Sequence, residues 1–354
     1  MTETVQIDIQ RCQNSRIEQV DFNDIKFGQV YSDHMFMADY VDGHWTNLKI
    51  IPYQNLSLSP ATSAIHYGQS VFEGMKAYKN TKGEIAIFRP EDNASRLNAS
   101  ANRMCIPELP EEIFMSGLIE LLKLDSSWIP NKRGTSLYIR PFIFATDEYI
   151  GIRPSSTYKF MIFTCPVGSY YSGAVKVKIE TKYARAVRGG TGYAKAAGNY
   201  AGSLYPARQA QNDGFNQLIW TDALTHEYIE ESGTMNVMFI IGDSLLTAPT
   251  GDTILKGITR NSVLTLAREY GLKVEERPVK VTEVLYAIKN GTLKEAFGTG
   301  TAATIAHISH IGHEDDIYTL PEVEGRKFSP WVLDRLDSIK YGDAEDTYNW
   351  VHIV

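Results

Sequence analysis

The chain has 354 residues, 43% of them hydrophobic and 22% charged. That is a soluble globular balance, and at roughly 150 residues per domain it leaves room for about two domains. Its 35 basic and 42 acidic side chains leave a net charge of −7, which excludes a general nucleic-acid binder, because such a protein needs a basic surface to displace counterions. No apolar run reaches the roughly 18 residues of a membrane span, so neither nucleic acid nor a membrane is an expected partner.

Cys12, Cys105 and Cys165 are widely separated and form no C-x-x-C. A disulfide framework or a cysteine-rich zinc site is therefore not expected. The opening MTETVQIDIQ has neither the basic end and apolar stretch of a signal peptide nor the Arg-rich character of a transit peptide. The expected compartment is a reducing cytoplasm.

The punctuation of the chain predicts a mixed α/β (α+β) protein without internal repeats. Asp42-Gly43 separates Phe36–Tyr40 from His44–Ile51, a hairpin signal. Asn80-Thr81-Lys82-Gly83 separates a second pair, Lys76–Tyr78 and Ile85–Phe88. Pro90 suits a first helical turn and opens a helix that carries Arg96 and Leu97 to about Met104; a second helix covers Pro110–Leu124. Ser136–Phe144 and Lys159–Pro166 read as buried strands, and Val175, Val177 and Ile179 alternate with charged residues as in a half-buried strand. Asn236–Ile241, Gly242-Asp243 and Ser244–Thr247 form a third hairpin signal. Thr259 is expected to cap a helix stopped by Gly271, and Thr282 one that ends at Asn290-Gly291. The expected domains are a smaller one over 1–166 and a larger one over 175–354, joined by a Gly/Ser/Tyr link at 167–174.

Three segments carry candidate chemistry. In RGGTGYAKAAGNYAG, over 188–202, Lys195 stands alone among glycines and alanines. Small neighbours let a flat ligand approach the backbone and leave the amine weakly solvated, as suits a nucleophile for carbonyl groups. The alternative is a solvated lysine on a surface loop. FGTGTAAT, over 297–304, offers hydroxyls and approachable N–H groups for an anion, or it is simply a tight turn. Gly257, Ile258 and Thr259 stand at an expected helix start, where free N–H groups favour an anion, or form only a cap. There is no Walker A loop, dinucleotide fingerprint or G-x-S-x-G elbow. His307, His310 and His313 sit three apart, a spacing that puts successive side chains on opposite faces of a strand, so no metal site is expected. Tyr67, Tyr138, Tyr170, Tyr171 and Tyr200 lie beside glycines or near strand ends and read as core, rim or pocket aromatics.

Nine blocks in order, from about Phe27 to Ala306, are similar to those of branched-chain amino-acid aminotransferases, two-domain pyridoxal-phosphate (PLP) enzymes of fold type IV. They are FGQVYSDHM, HYGQSVFEGMKAY, FRPEDNASRLNASANRM, LYIRP, CPVGSYY, GGTGYAKAAGNYAGSL, EESGTMNVMF, ILKGITR and FGTGTAA. The resemblance implies that Lys195 carries PLP, that Tyr200 bonds the phenolic oxygen of its ring, and that Glu231 faces the pyridine nitrogen. It implies that Arg96 pairs with the phosphate, that Ile258 and Thr259 donate backbone N–H groups to it beside Gly257, that Thr299 adds a hydroxyl, and that Leu255 packs on the ring. Arg185 is placed loosely near the phosphate.

For the substrate the resemblance implies a carboxylate site at Thr301 and Ala302 and a side-chain pocket from Phe27, Tyr67, Phe72, Tyr138 and Tyr170. Arg140 resembles an arginine near that pocket that helps accept glutamate. Ile150 and Ile152 match a loop over a neighbouring subunit's pocket, which implies a homodimer. Some relatives carry C-x-x-C after the GTA turn; here those positions are Ala303 and Ala306, so thiol redox control is not expected there. The implied activity is ping-pong exchange of an amino group between leucine, isoleucine or valine and 2-oxoglutarate. The alternatives are a D-amino-acid aminotransferase or another fold type IV enzyme such as an aminodeoxychorismate lyase, and, in another class, a non-catalytic binder of a phosphorylated small molecule.

Overall fold

The computed structural model describes residues 5–168 and 173–354. The chain divides into two compact units. The first comprises Met1–Tyr170, Ala194–Gly198 and Asp337–Val354, and the second Tyr171–Tyr193 and Asn199–Leu336. The elements begin with β1 (Asp8–Ile9), β2 (His34–Val41), β3 (His44–Pro52), α1 (Ser63–Tyr67), β4 (Ser70–Phe72), β5 (Met75–Lys79), β6 (Ile85–Phe88), α2 (Pro90–Arg103), α3 (Glu111–Leu124), β7 (Ser136–Ala145) and β8 (Tyr158–Val167). They continue with β9 (Val175–Ile179), α4 (Ala197–Asn212), β10 (Gln217–Thr221), β11 (Tyr228–Ser232), β12 (Met235–Ile241), β13 (Ser244–Thr247), α5 (Ile258–Glu269), β14 (Lys273–Glu276), β15 (Val279–Lys280), α6 (Val281–Lys289), β16 (Leu293–Gly300), β17 (Thr304–His313), β18 (Asp316–Thr319), α7 (Phe328–Tyr341) and β19 (Val351–Ile353). This is the mixed α/β class expected from the sequence.

The first unit is a sheet in the order β1-β3-β2-β8-β7-β5-β6-β19, with β4 added beside β7. The β2–β3 hairpin forms where Asp42-Gly43 places it. Both residues take positive φ, 53° and 83°, as a two-residue hairpin turn requires. Leu97 and Ala101 of α2 and Phe114, Leu118, Leu121 and Leu122 of α3 share one core with Phe36, Ile139, Phe160 and Ile162 of the sheet. Pro90 stands at the first turn of α2 as expected, with Glu91 and Asp92 behind it and Arg103 in the last turn, charges that suit the helix dipole at each end.

In the second unit the order is β14-β13-β12-β16-β17-β9-β10-β11-β15, and β11 also pairs with β12. That extra pairing closes β12, β16, β17, β9, β10 and β11 into a ring. Val177, Ile219, Val237, Phe239, Ala296 and Ile308 form part of its core. The acid Glu295 of β16 is buried and accepts three backbone N–H groups at the start of α7, from Lys327 (2.9 Å), Phe328 (2.8 Å) and Ser329 (2.7 Å). It thus supplies the cap that the local sequence of α7 lacks.

Three sequence expectations need correction. Thr259 does not cap its helix: α5 begins at Ile258 with Gly257 as N-cap and no side-chain cap bond. The start is set by close packing, since a Cβ on Gly257 would stand 2.0 Å from Asn236 Oδ1. Nor does Thr282 cap α6, which begins at Val281 after Lys280. Here β15 pairs with β11 through Lys280 and the Val281 N–H goes to the Glu227 carbonyl at 2.8 Å, so the ladder runs straight into the helix. The segment at 297–304 is not one tight turn: Phe297–Gly300 completes β16 and pairs with β17. His307, His310 and His313 lie on β17. Among the described residues no helix is long and apolar enough to cross a membrane.

Candidate active site

Each unit holds its own group of candidate residues. In the first, Lys195 is fixed through its backbone. Its N–H goes to Ser100 Oγ at 2.9 Å, its carbonyl accepts the Phe72 N–H at 3.0 Å, and Ala196 bridges to Val71. With the main chain held on both sides, the side chain is aimed: Nζ stands 4.8 Å from the centre of the Phe72 ring.

Arg140 meets the same ring, with Cζ 4.8 Å from its centre, and donates from Nη2 to Tyr138 Oη at 2.9 Å. Phe27 packs edge-on against Tyr138 at 5.1 Å. Phe27, Phe72, Tyr138 and Arg140 are therefore brought together around the lysine's aromatic neighbour. Tyr67 ends α1 and is exposed, as are Ile150 and Ile152 between β7 and β8, at 82% and 96%. Tyr170 lies outside the described residues. Arg96, on α2, pairs its Nε and Nη2 with the two oxygens of Glu73, each at 2.7 Å.

In the second unit the registers Glu231↔Asn236 and Asn236↔Thr299 set these three residues in a row across β11, β12 and β16, where directly opposed residues share a face. Glu231 is buried, and each of its oxygens is engaged. Oε1 accepts the Leu255 N–H at 2.8 Å and Asn236 Nδ2 at 3.2 Å, while Oε2 stands 3.1 Å from Arg185 Nε. Asn236 also donates to the Leu255 carbonyl at 3.0 Å. Arg185 Nη2 donates to the carbonyls of Gly192 and Thr253, so Arg185 sits with the carboxylate.

Glu230, beside Glu231, is buried too, and its Oε2 has no hydrogen-bond partner. Burial pushes its carboxyl up from the ordinary range, against a hydrogen bond from Thr253 and the charge of Arg185. Thr299 Oγ1 is buried without a partner, a hydroxyl that solvent does not reach and the protein does not satisfy. Gly257, Ile258 and Thr259 open the twelve-residue helix α5. Tyr200 is in the first turn of α4 and half-buried, and Thr301 and Ala302 form the turn between β16 and β17, also half-buried.

Gly192, three residues before Lys195, has a packing reason. A Cβ on Gly192 would stand 2.8 Å from Thr253 Cα and 2.9 Å from the Asp252 carbonyl, so that backbone can pass only without a side chain. Sequence reasoning missed Glu73, Asn93, Ser100, Glu230 and Asn236. Glu73 left one trace, an acid between Phe72 and Gly74 in an otherwise apolar stretch.

Residues 70–311 match the family model for amino-transferase class IV. The chain is 46% identical over 334 residues to branched-chain-amino-acid aminotransferase 2 of Bacillus subtilis, covering 93% of this chain and 92% of that one. It is 42% identical over 338 residues to a probable branched-chain-amino-acid aminotransferase of Staphylococcus epidermidis, with 94% of each chain covered. The crystal structure of a branched-chain aminotransferase from Thermoproteus uzoniensis with norvaline superposes with a TM-score of 0.74 at 25% identity, over 90% of this chain and 99% of that one. The chain belongs to the class IV aminotransferases and, within them, to the branched-chain-amino-acid aminotransferase family; it is an enzyme with the fold of that family.

Proposed function

We propose that the protein catalyses reversible transamination of L-leucine, L-isoleucine and L-valine with 2-oxoglutarate, giving the branched-chain 2-oxo acids and L-glutamate in a ping-pong sequence with PLP as cofactor. The carrying observation is the aim of Lys195: a backbone held from both sides, with Nζ on a ring that Arg140 and, through Tyr138, Phe27 also adjoin. The relatives' names support the substrate class.

The residues suit PLP. The unpartnered buried hydroxyl of Thr299 is an orphan donor of the kind a phosphate oxygen satisfies. The start of α5 at Ile258 and Thr259 offers N–H groups and the positive end of a helix dipole. Arg96 supplies a cation and Leu255 an apolar side chain for the ring. Tyr200 is assigned to the phenolic oxygen, and Thr301 and Ala302 to the substrate carboxylate. When bound, PLP supplies an electron sink for the pair released as substrate Cα loses its proton.

The protein's part is positioning and proton transfer. The Lys195 amine would take the proton from substrate Cα as general base and hold it for return as general acid. The Glu231 carboxylate, fixed by Leu255, Asn236 and Arg185, holds a proton on the ring nitrogen by its negative charge. Phe27, Tyr67, Phe72 and Tyr138 bury the aliphatic side chain, and Arg140 receives the second carboxylate of glutamate. Ile150 and Ile152 are assigned to cover a partner subunit's pocket in a homodimer, and the compartment to the cytoplasm.

A single-turnover assay tests the ping-pong reading. PLP-loaded protein mixed with L-leucine alone should release one equivalent of 4-methyl-2-oxopentanoate per site. Release only when 2-oxoglutarate is also present contradicts it.

A further inference from the structure

Arg96 is tied to Lys195 along two routes within one unit. Ser100 Oγ accepts the Lys195 N–H at 2.9 Å and donates to the Arg96 carbonyl at 3.0 Å. On the other side, the Lys195 carbonyl accepts the Phe72 N–H at 3.0 Å, and the residue after Phe72 is Glu73, which grips the Arg96 side chain.

The grip is specific. Glu73 is fully buried. Its Oε1 accepts Arg96 Nε and its Oε2 accepts Nη2, each at 2.7 Å; Oε2 also accepts Asn93 Nδ2 at 2.7 Å and the Gly74 N–H at 3.2 Å. A guanidinium is a rigid plane with five N–H donors. Nε–H and one N–H of Nη2 make up its side edge, and Glu73 takes that edge. Stability alone is a weak reason for such a pair, because well-packed apolar side chains serve a buried site as well or better.

We infer that Glu73 is a positioning residue: its two-point grip fixes the plane and place of the Arg96 guanidinium for the phosphate of the cofactor. This rests on the proposed role of Arg96 as the phosphate arginine. Glu73 does not touch the cofactor and acts only through Arg96. Asn93 and Gly74 in turn hold Glu73, so the chain of support is Asn93 to Glu73 to Arg96.

The test compares two ligands that differ by the phosphate alone. Dissociation constants for PLP and for pyridoxal are measured by titration of the full chain stripped of cofactor. In Glu73→Gln one acceptor oxygen becomes an NH2 facing the Arg96 donors. PLP binding should weaken tenfold or more, while pyridoxal binding changes less than twofold. Arg96→Lys, which keeps the charge and loses the fork, should show the same selective loss. Asn93→Ala loosens Glu73 without altering the buried charges; should Glu73→Gln fail to fold, it carries the test, with a smaller loss confined to PLP. Equal weakening for both ligands, or no weakening for either, overturns the inference and leaves the transaminase reading standing. A wild-type protein that binds neither ligand overturns both.

Discussion

Arg185 and Glu231 face each other at 3.1 Å, Nε to Oε2, and both side chains are almost completely buried. The guanidinium therefore offsets part of the cost of burying the carboxylate's charge. Glu231→Gln should lower kcat about 100-fold or more, with KM for L-leucine changed only a few-fold, because the lost charge matters where charge develops in the transition state. It should also lower stability, since removing one partner of a buried pair costs about 3–5 kcal/mol. Steady-state kinetics and urea unfolding check this together. An unchanged kcat moves the ring-nitrogen partner elsewhere.

Asn236 links Glu231 to the start of α5, and Gly257 makes room for it. A Cβ there would stand 2.0 Å from Asn236 Oδ1, so Gly257→Ala must displace the amide that donates to Glu231 and to the Leu255 carbonyl. We expect a stability loss of about 1–3 kcal/mol, as for other overpacked sites, and a kcat loss larger than that of a surface Gly→Ala control. Wild-type kinetics in this variant would show that Asn236 does not govern the carboxylate.

As the proposed side-chain pocket, the aromatic group of Phe27, Phe72 and Tyr138 would favour aliphatic side chains through burial of about 1.5–3 kcal/mol each. Such a surface separates substrates differing by one methylene by only about 1–3 kcal/mol. L-leucine, L-isoleucine and L-valine should all be used, with kcat/KM values that overlap. A preference well above roughly 200-fold for one of them, beyond that range, would point to a polar or steric selector outside this group.

Lys76 offers a pH test of the first unit. Burial pushes its amine down to about 7, with the Lys340 ammonium adding to the effect and Asp337 opposing it. The folded value lies below the ordinary lysine value of 10.5, so the unfolded chain binds more protons between the two, and stability rises with pH across that window. Lys76→Met should remove this contribution and gain most at or below pH 7. Urea unfolding at pH 6, 8 and 9.5 checks it; identical slopes for the two proteins would contradict it.

What was legible in the sequence was local. Asp42-Gly43 announced its hairpin because two consecutive positive φ angles suit few residue pairs. Pro90 announced α2 for a similar reason. Lys195 stood out by the smallness of its neighbours, yet the reason for that smallness, backbone at Asp252 and Thr253 pressed on Gly192, lies sixty residues away along the chain. The FGTGT glycines looked like a turn, but Gly298 and Gly300 lie in β16 with the Met235 side chain packed where a Cβ would go. The Arg96–Glu73 pair spans 23 positions, and no local pattern links an acid at a strand end to an arginine inside a helix. Each missed feature is a tertiary contact between residues that are separately unremarkable.

Lys195 is the central claim, and the visible absorption spectrum of the PLP-loaded protein tests it most directly. Wild type should show a protein-bound cofactor band that shifts on addition of L-leucine and not of D-leucine. In Lys195→Ala that band and its response should be lost while some cofactor remains held through the phosphate. A Lys195→Ala protein with the wild-type band and response, or a wild-type band that ignores L-leucine and answers a D-amino acid, would contradict the account.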